Sequence, residues 1–232
     1  MSGPLAGSRL RDLARGGPAG APPAAEEEPA ERCDLCGAGL PEEHRHLLDL
    51  ESRELACACR ACTILFDHRA AGGGHFKLIP ERRLLLSDFQ LTDLQWEELR
   101  VPVDMAFFFH STREERVMAY YPSPMGPTES LLTLEAWTEL EAANPVLAEM
   151  EHDTEALLVN RARGARQIFL VPIEDPYRLV ALIRTRWRGF TGGKEVWEEL
   201  ERFFTDLEGR AQQVEAGGGQ ADTSAAEAAG RS

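Results

Sequence analysis

All five cysteines of this 232-residue chain fall between Cys33 and Cys62. They read Cys33-Asp-Leu-Cys36-Gly37 and then Cys57-Ala-Cys59-Arg-Ala-Cys62, so two Cys-x-x-Cys pairs stand 22 residues apart. A Cys-x-x-Cys turn presents two thiolates to one ion, and Gly37 fits the tight turn after the first pair. Four thiolates, Cys33, Cys36, Cys59 and Cys62, satisfy a tetrahedral Zn²⁺. The same sulfur-only set also suits a single iron ion, so the expected metal is zinc with iron as the alternative. An odd cysteine count with four in pairs favours ligands over a disulfide framework.

The intervening residues set the expected shape of this module, taken as 33–70. His46-Leu-Leu-Asp-Leu50 and Glu54-Leu-Ala-Cys57-Ala-Cys59 flank Glu51-Ser-Arg53, which predicts a short hairpin leading to the second pair. Ile64-Leu-Phe66 reads as a strand end. A hairpin of this size has too little apolar surface to fold alone. Metal ligation contributes folding free energy on the order of 10 kcal/mol or more in zinc-finger peptides. The reading is a zinc-ribbon-like module. Cys33-Asp-Leu-Cys36-Gly37 also resembles one rubredoxin knuckle, although Cys59-Arg-Ala-Cys62-Thr63 lacks the glycine that would make the second. Cys57 is the additional thiol: a packed residue of the hairpin, a reactive thiol beside the closed site, or part of an iron–sulfur cluster. His44, His46 and His68 are alternative ligands, expected to be exposed while four thiols are available. His75, His110 and His152 read as isolated.

The termini are of different composition. Residues 1–32 are rich in Gly, Ala, Pro, Arg and Glu, and residues 210–232 in Ala and Gly. Both are expected to be disordered, apart from a short helix around Leu5–Ala14. Gly72-Gly-Gly74 is expected to joint the module to a larger domain over 75–209. There Phe76–Ile79 and Arg83–Leu86 read as short extended pieces. Thr92 caps a short helix, Leu94–Leu99, and Val101–His110 with Arg116–Tyr121 forms a hairpin ended by Pro122. Thr133 caps a helix over Leu134–Ala143, followed by a helical turn over Val146–Met150. Ala156–Val159 and Gln167–Val171 read as two strands. Asp175 is expected to cap a helix over Tyr177–Trp187, and the amphipathic Lys194–Leu207 helix to stop at Gly209. Hairpins interspersed with helices make the fold class α+β rather than a regular parallel sheet.

Charge and motifs narrow the function. A formal net charge of −14 opposes phosphate-backbone binding, so nucleic acid is an unfavoured partner. No run approaches the roughly 20 apolar residues of a membrane span, and the expected location is cytoplasmic. The larger domain carries no phosphate loop, nucleophile elbow or His-Glu-x-x-His motif. Its most unusual cluster is Arg184, Arg186, Trp187 and Arg188 before a Gly-rich loop. That cluster suits an anion or an acidic partner, and equally a helix C-terminus complemented by cations. An enzyme with its site near Arg186 is the third reading, after a metal-binding accessory protein and an iron electron carrier.

The cysteine module, Tyr120-Tyr-Pro-Ser-Pro-Met-Gly126, Ala156-Leu-Leu-Val-Asn-Arg161 and Tyr177–Gly189 together resemble an actinobacterial family of unknown function. Its members are typically encoded beside nickel–iron hydrogenase genes. The resemblance spans roughly residues 33–208 and brings no catalytic residues with it. It implies an accessory role in hydrogenase assembly, metal or cluster handling, or electron transfer, with a hydrogenase-related protein partner.

Overall fold

A computed structural model describes residues 31–67, 74–131, 133–189 and 191–217. The leader through residue 30, the expected Leu5–Ala14 helix, His68, Gly72, Gly73 and residues 218–232 lie outside the described residues. Among the described residues ten strands form two sheets, joined by five α-helices. The mixed α+β class read from the sequence is the class observed.

The first sheet is small and antiparallel. β1 (Arg45–Asp49) pairs with β2 (Leu55–Ala58) as the expected hairpin, and β3 (Phe76–Leu78) pairs with the other side of β1. β3 was expected to open the larger domain; it instead completes the sheet of the cysteine module. Helix α1 (Arg60–Asp67) follows β2, so Ile64-Leu-Phe66 is helical and not a strand end. Phe66 turns back onto Phe76 edge-on, with ring centroids 5.2 Å apart, while Ile64 and Leu65 stay exposed. A three-residue apolar run carries no period of its own; the neighbours decide its conformation.

The second sheet has seven strands: β10 (Gln212–Val214), β4 (Leu84–Leu86), β9 (Gln167–Pro172), β8 (Glu155–Asn160), β5 (Met105–Ser111), β6 (Arg116–Ser123) and β7 (Gly126–Glu129), in that spatial order. Only the β10–β4 pair is parallel. The central strands read as unbroken apolar runs because both faces are buried. Phe107, Phe109, Leu158 and Phe169 face one core; Ala106, Phe108, Leu157 and Leu170 face the other. The first core is closed by α4 (Glu174–Arg186) and α5 (Lys194–Arg210), together with Leu48 and Ile79 from the cysteine module. The second is closed by α2 (Asp93–Glu98), α3 (Leu134–Ala143) and the 3-10 turn Pro145–Glu149.

Capping was the most legible local signal. The Thr92 hydroxyl accepts from the Gln95 amide while the Gln95 side chain accepts from the Thr92 amide, a reciprocal capping box. Thr133 caps α3 through the Ala136 amide. Four expectations are corrected. Pro122 does not end β6, which runs to Ser123 and turns through Met125 into β7, making the Pro-rich segment a second hairpin. Asp175 does not cap α4; it is fully buried and paired with Arg83. Helix α5 passes through Gly209 to Arg210. The chain then adds β10 to the sheet edge and buries Ala216, so residues 211–217 are not part of a disordered tail.

Candidate metal centre

Cys33 and Cys36 sit in a tight turn before β1. The Gly37 amide donates to Cys33 O at 2.8 Å, and Gly37 itself has φ +74°, a left-handed conformation that glycine adopts without a steric penalty. The turn is tied to β2: the Asp34 amide donates to Cys57 O at 2.9 Å, and the Cys57 amide to Asp34 Oδ2 at 2.6 Å. Cys59 follows β2 directly, and Cys62 lies in the first turn of α1. There the Thr63 amide donates to Cys59 O at 2.9 Å. The second pair therefore stands at a helix N-terminus, where partial positive charge favours thiolates.

All four expected ligands meet. Cys33, Cys36, Cys59 and Cys62 have ligand atoms within 4.8 Å of one another, and Cys36 Sγ lies 3.6 Å from Cys59 Sγ. With Zn–S bonds of about 2.3 Å, the edges of an S₄ tetrahedron are about 3.8 Å long, so the set fits one ion closely. All five cysteines are free thiols. Cys33 and Cys62 are buried, whereas Cys36 is exposed and Cys59 half-buried, which places the group at the edge of the small core formed with Leu40, Leu47 and Ala58.

The electrostatics are those of crowded thiols that cannot all ionise without a cation. At Cys33, burial acts upward but is outweighed by backbone N–H groups of Cys59, Cys36 and Leu35, leaving the thiol at about 6. Cys62 is pushed up to about 12, by burial first and then by the neighbouring thiols. One thiolate is thus prepared and another resisted; a bound divalent cation removes the repulsion and admits the full set.

The remaining candidates are placed as follows. Cys57 is not among the four, and neither are His44 and His46. These three form a second group, also with ligand atoms within 4.8 Å of one another, across the β1–β2 hairpin. His110 and His152 are not isolated: their rings stack at 4.7 Å. Arg184, Arg186 and Arg188 are exposed, with no ion-pair partner among the described residues. Trp187 is half-buried and serves the loop: its Nε1 donates to Gly189 O at 2.9 Å, and its ring meets Trp197 edge-on at 6.2 Å.

Sequence reasoning did not find how the module is held to the body. Four buried or half-buried carboxylates do this. Arg53, from the hairpin turn, donates to Asp153 at 2.9 Å and lies 5.1 Å from the centre of the Phe109 ring. Arg82 forks onto Glu155 at 2.6 and 2.7 Å, and Arg83 onto Asp175 at 2.6 and 3.2 Å. His46 pairs with Glu174 at 3.0 Å. The adjacent Arg82-Arg83 after β3 was the available signal, but its partners are far away in sequence.

Residues 32–211 match the Family of unknown function (DUF5947). The chain belongs to that family. The match runs from the first cysteine turn to the end of α5, so module and body are parts of one family unit. No curated protein and no solved structure matches the chain. Among the described residues no helix is long and apolar enough to cross a membrane.

Proposed function

We propose that this DUF5947 chain is a non-enzymatic, zinc-binding accessory protein. The observation that carries the reading is the closed donor set: four thiolates from two Cys-x-x-Cys pairs converge on one point, with the protein supplying every ligand. Closed four-sulfur sites are structural, whereas catalytic zinc keeps a position open. Cys33 and Cys36 would hold the ion from the turn, Cys59 and Cys62 from the helix start. When bound, the ion would fix the turn, the hairpin and α1 relative to one another. The chain's own residues do the rest: Asp34 ties the turn to β2, and Arg53, Arg82 and Arg83 fasten the module to the body.

The partner follows from the resemblance to an actinobacterial family encoded beside nickel–iron hydrogenase genes. The accessory role is proposed to serve hydrogenase assembly or function in the cytoplasm, with the exposed Arg184, Arg186 and Arg188 as the anion or partner contact. Two measurements test these statements separately. Elemental analysis of the anaerobically purified full chain should find zinc, lost on Cys33→Ser with Cys62→Ser. Essentially no zinc or iron ends the metal reading, and a visible charge-transfer absorption with bound iron turns it into an electron carrier. Disrupting the gene should lower hydrogenase activity in the host; unchanged activity removes the hydrogenase assignment and leaves the metal site standing.

A further inference from the structure

The cysteine left over from the tetrathiolate is accounted for by two histidines. In the β1–β2 register Cys57 lies directly opposite His46, and His44 is two residues before His46 along the chain. The hairpin therefore gathers His44, His46 and Cys57, with ligand atoms within 4.8 Å of one another.

The imidazoles are already oriented as metal ligands are. His44 Nδ1 lies 3.1 Å from Pro41 O and 3.6 Å from Glu31 Oε2, so this nitrogen carries the proton and points at acceptors. His46 Nδ1 lies 3.0 Å from Glu174 Oε2. A carbonyl or carboxylate on one ring nitrogen fixes the tautomer and leaves the other nitrogen's lone pair for a metal. In both rings the nitrogen left over is Nε2. His44 supplies the decisive observation: its side chain is only 7% exposed, and its Nε2 is buried without a hydrogen-bond partner. A buried polar atom left unpartnered in a folded protein calls for an explanation, and an absent ion is one.

We propose that His44 Nε2, His46 Nε2 and Cys57 Sγ form a second metal site, separate from the four-thiolate centre, for one borderline divalent transition-metal ion. Two imidazoles and a thiolate suit Zn²⁺ or Co²⁺ and disfavour the hard cations Mg²⁺ and Ca²⁺. Three protein ligands leave a fourth position open, unlike the closed tetrathiolate. His44 and His46 line a cleft of ≈ 460 Å³ shared with Arg83, Glu174 and Arg178, the side from which an ion or a fourth ligand would enter. Glu174 acts here as a positioning residue, because it holds the His46 ring and is itself held by Arg83 at 3.2 Å.

The test is anaerobic reconstitution of the full chain with Zn²⁺, followed by desalting, metal counting and zinc X-ray absorption. Wild type should retain two equivalents, with nitrogen as well as sulfur in the first shell. Cys57→Ser and His44→Gln should each retain one, with a sulfur-only first shell. Cys33→Ser with Cys62→Ser should retain neither equivalent, because loss of the tetrathiolate also loosens the β1–β2 hairpin that gathers His44, His46 and Cys57. The structural centre fails if the two single variants hold no sulfur-only equivalent, and this site fails if they hold as much as wild type. Wild type retaining a single equivalent with no nitrogen scatterers overturns the proposal. So does a second equivalent that survives both Cys57→Ser and His44→Gln, or one washed away on desalting. Circular dichroism and the remaining equivalent report whether Cys57→Ser and His44→Gln have folded.

Discussion

The cysteine module and the larger body are held together by different physics. The body buries Phe107, Phe108, Phe169, Leu157, Leu158 and Leu170 completely, on both faces of one sheet. The module's core contains only five buried residues among those described, and two of them, Cys33 and Cys62, are themselves proposed ligands. Burial at about 25 cal/mol per Å² of apolar surface can sustain the first arrangement. A core as small as the second needs a staple. Between the two lies a seam of buried carboxylates facing Arg53, Arg82 and Arg83. Such a seam specifies where the module docks more than it adds stability, because desolvation offsets much of the attraction.

The contrast can be broken experimentally, beginning with the largest effect. Chelation, or Cys33→Ser with Cys62→Ser, should remove folding free energy from the module on the order of 10 kcal/mol, as in zinc-finger peptides. Hydrogen exchange should then rise across Arg45–Ala58 and Arg60–Asp67 while β5, β8 and β9 stay protected. Loss of protection throughout would mean that the module and the body fold as one unit. Phe107→Ala should do the reverse. Phe107 is fully buried and stacks on Tyr120 with centroids 5.7 Å apart, so its loss should cost about 3–5 kcal/mol in urea unfolding with metal content unchanged.

Arg53→Ala tests the seam. It leaves the Asp153 carboxylate buried with only Thr112, which donates at 3.0 Å through its amide and 2.7 Å through its hydroxyl, so a loss of about 3 kcal/mol is expected. The hairpin turn should lose exchange protection before the body does. Gly192→Ala should cost about 1–2 kcal/mol from its left-handed φ of +84° alone. The added Cβ would also stand 2.8 Å from Val196 Cγ1 and 3.0 Å from the Trp187 ring, so the loop before α5 must shift; thermal unfolding of the variant measures both together.

The smallest effect is a pH dependence that belongs to the body. Burial, and then the neighbouring His152, hold His110 below the ordinary histidine value of 6.5, with Glu141 acting weakly the other way. Below that value the unfolded chain takes up a proton that the folded chain refuses, so stability is intact above pH 6.5 and falls as pH drops beneath it. His110→Gln should flatten the change in melting temperature between pH 7 and 5.5; an unchanged slope would assign it to other groups.

The same contrast governs how much could be read from the chain. In the body, local signals sufficed for most elements. Continuous apolar runs gave β5, β8 and β9, and Thr92 and Thr133 gave two helix starts, because the strand sets its own periodicity and the cap its own hydrogen bond. β10 escaped because Gln212-Gln213-Val214 has no strand-like pattern; it is a strand because the edge of β4 offers free backbone groups. In the module, α1 escaped because Ile64-Leu65-Phe66 is too short to show a period, and β3 because its partner is β1 rather than the chain that follows it.

The sequence by itself singled out the four thiols that the fold brings together. Two Cys-x-x-Cys turns carry their geometry locally, and Cys33, Cys36, Cys59 and Cys62 converge as their spacing requires. The tertiary structure alone decided where the other charged and ligating groups went. Asp175, read as a helix cap, became the buried partner of Arg83, and Cys57 found His44 and His46 across the hairpin. The physical reason is register: a cross-strand neighbour is fixed by which residues pair, and composition and spacing along one strand do not encode that pairing until the hairpin closes.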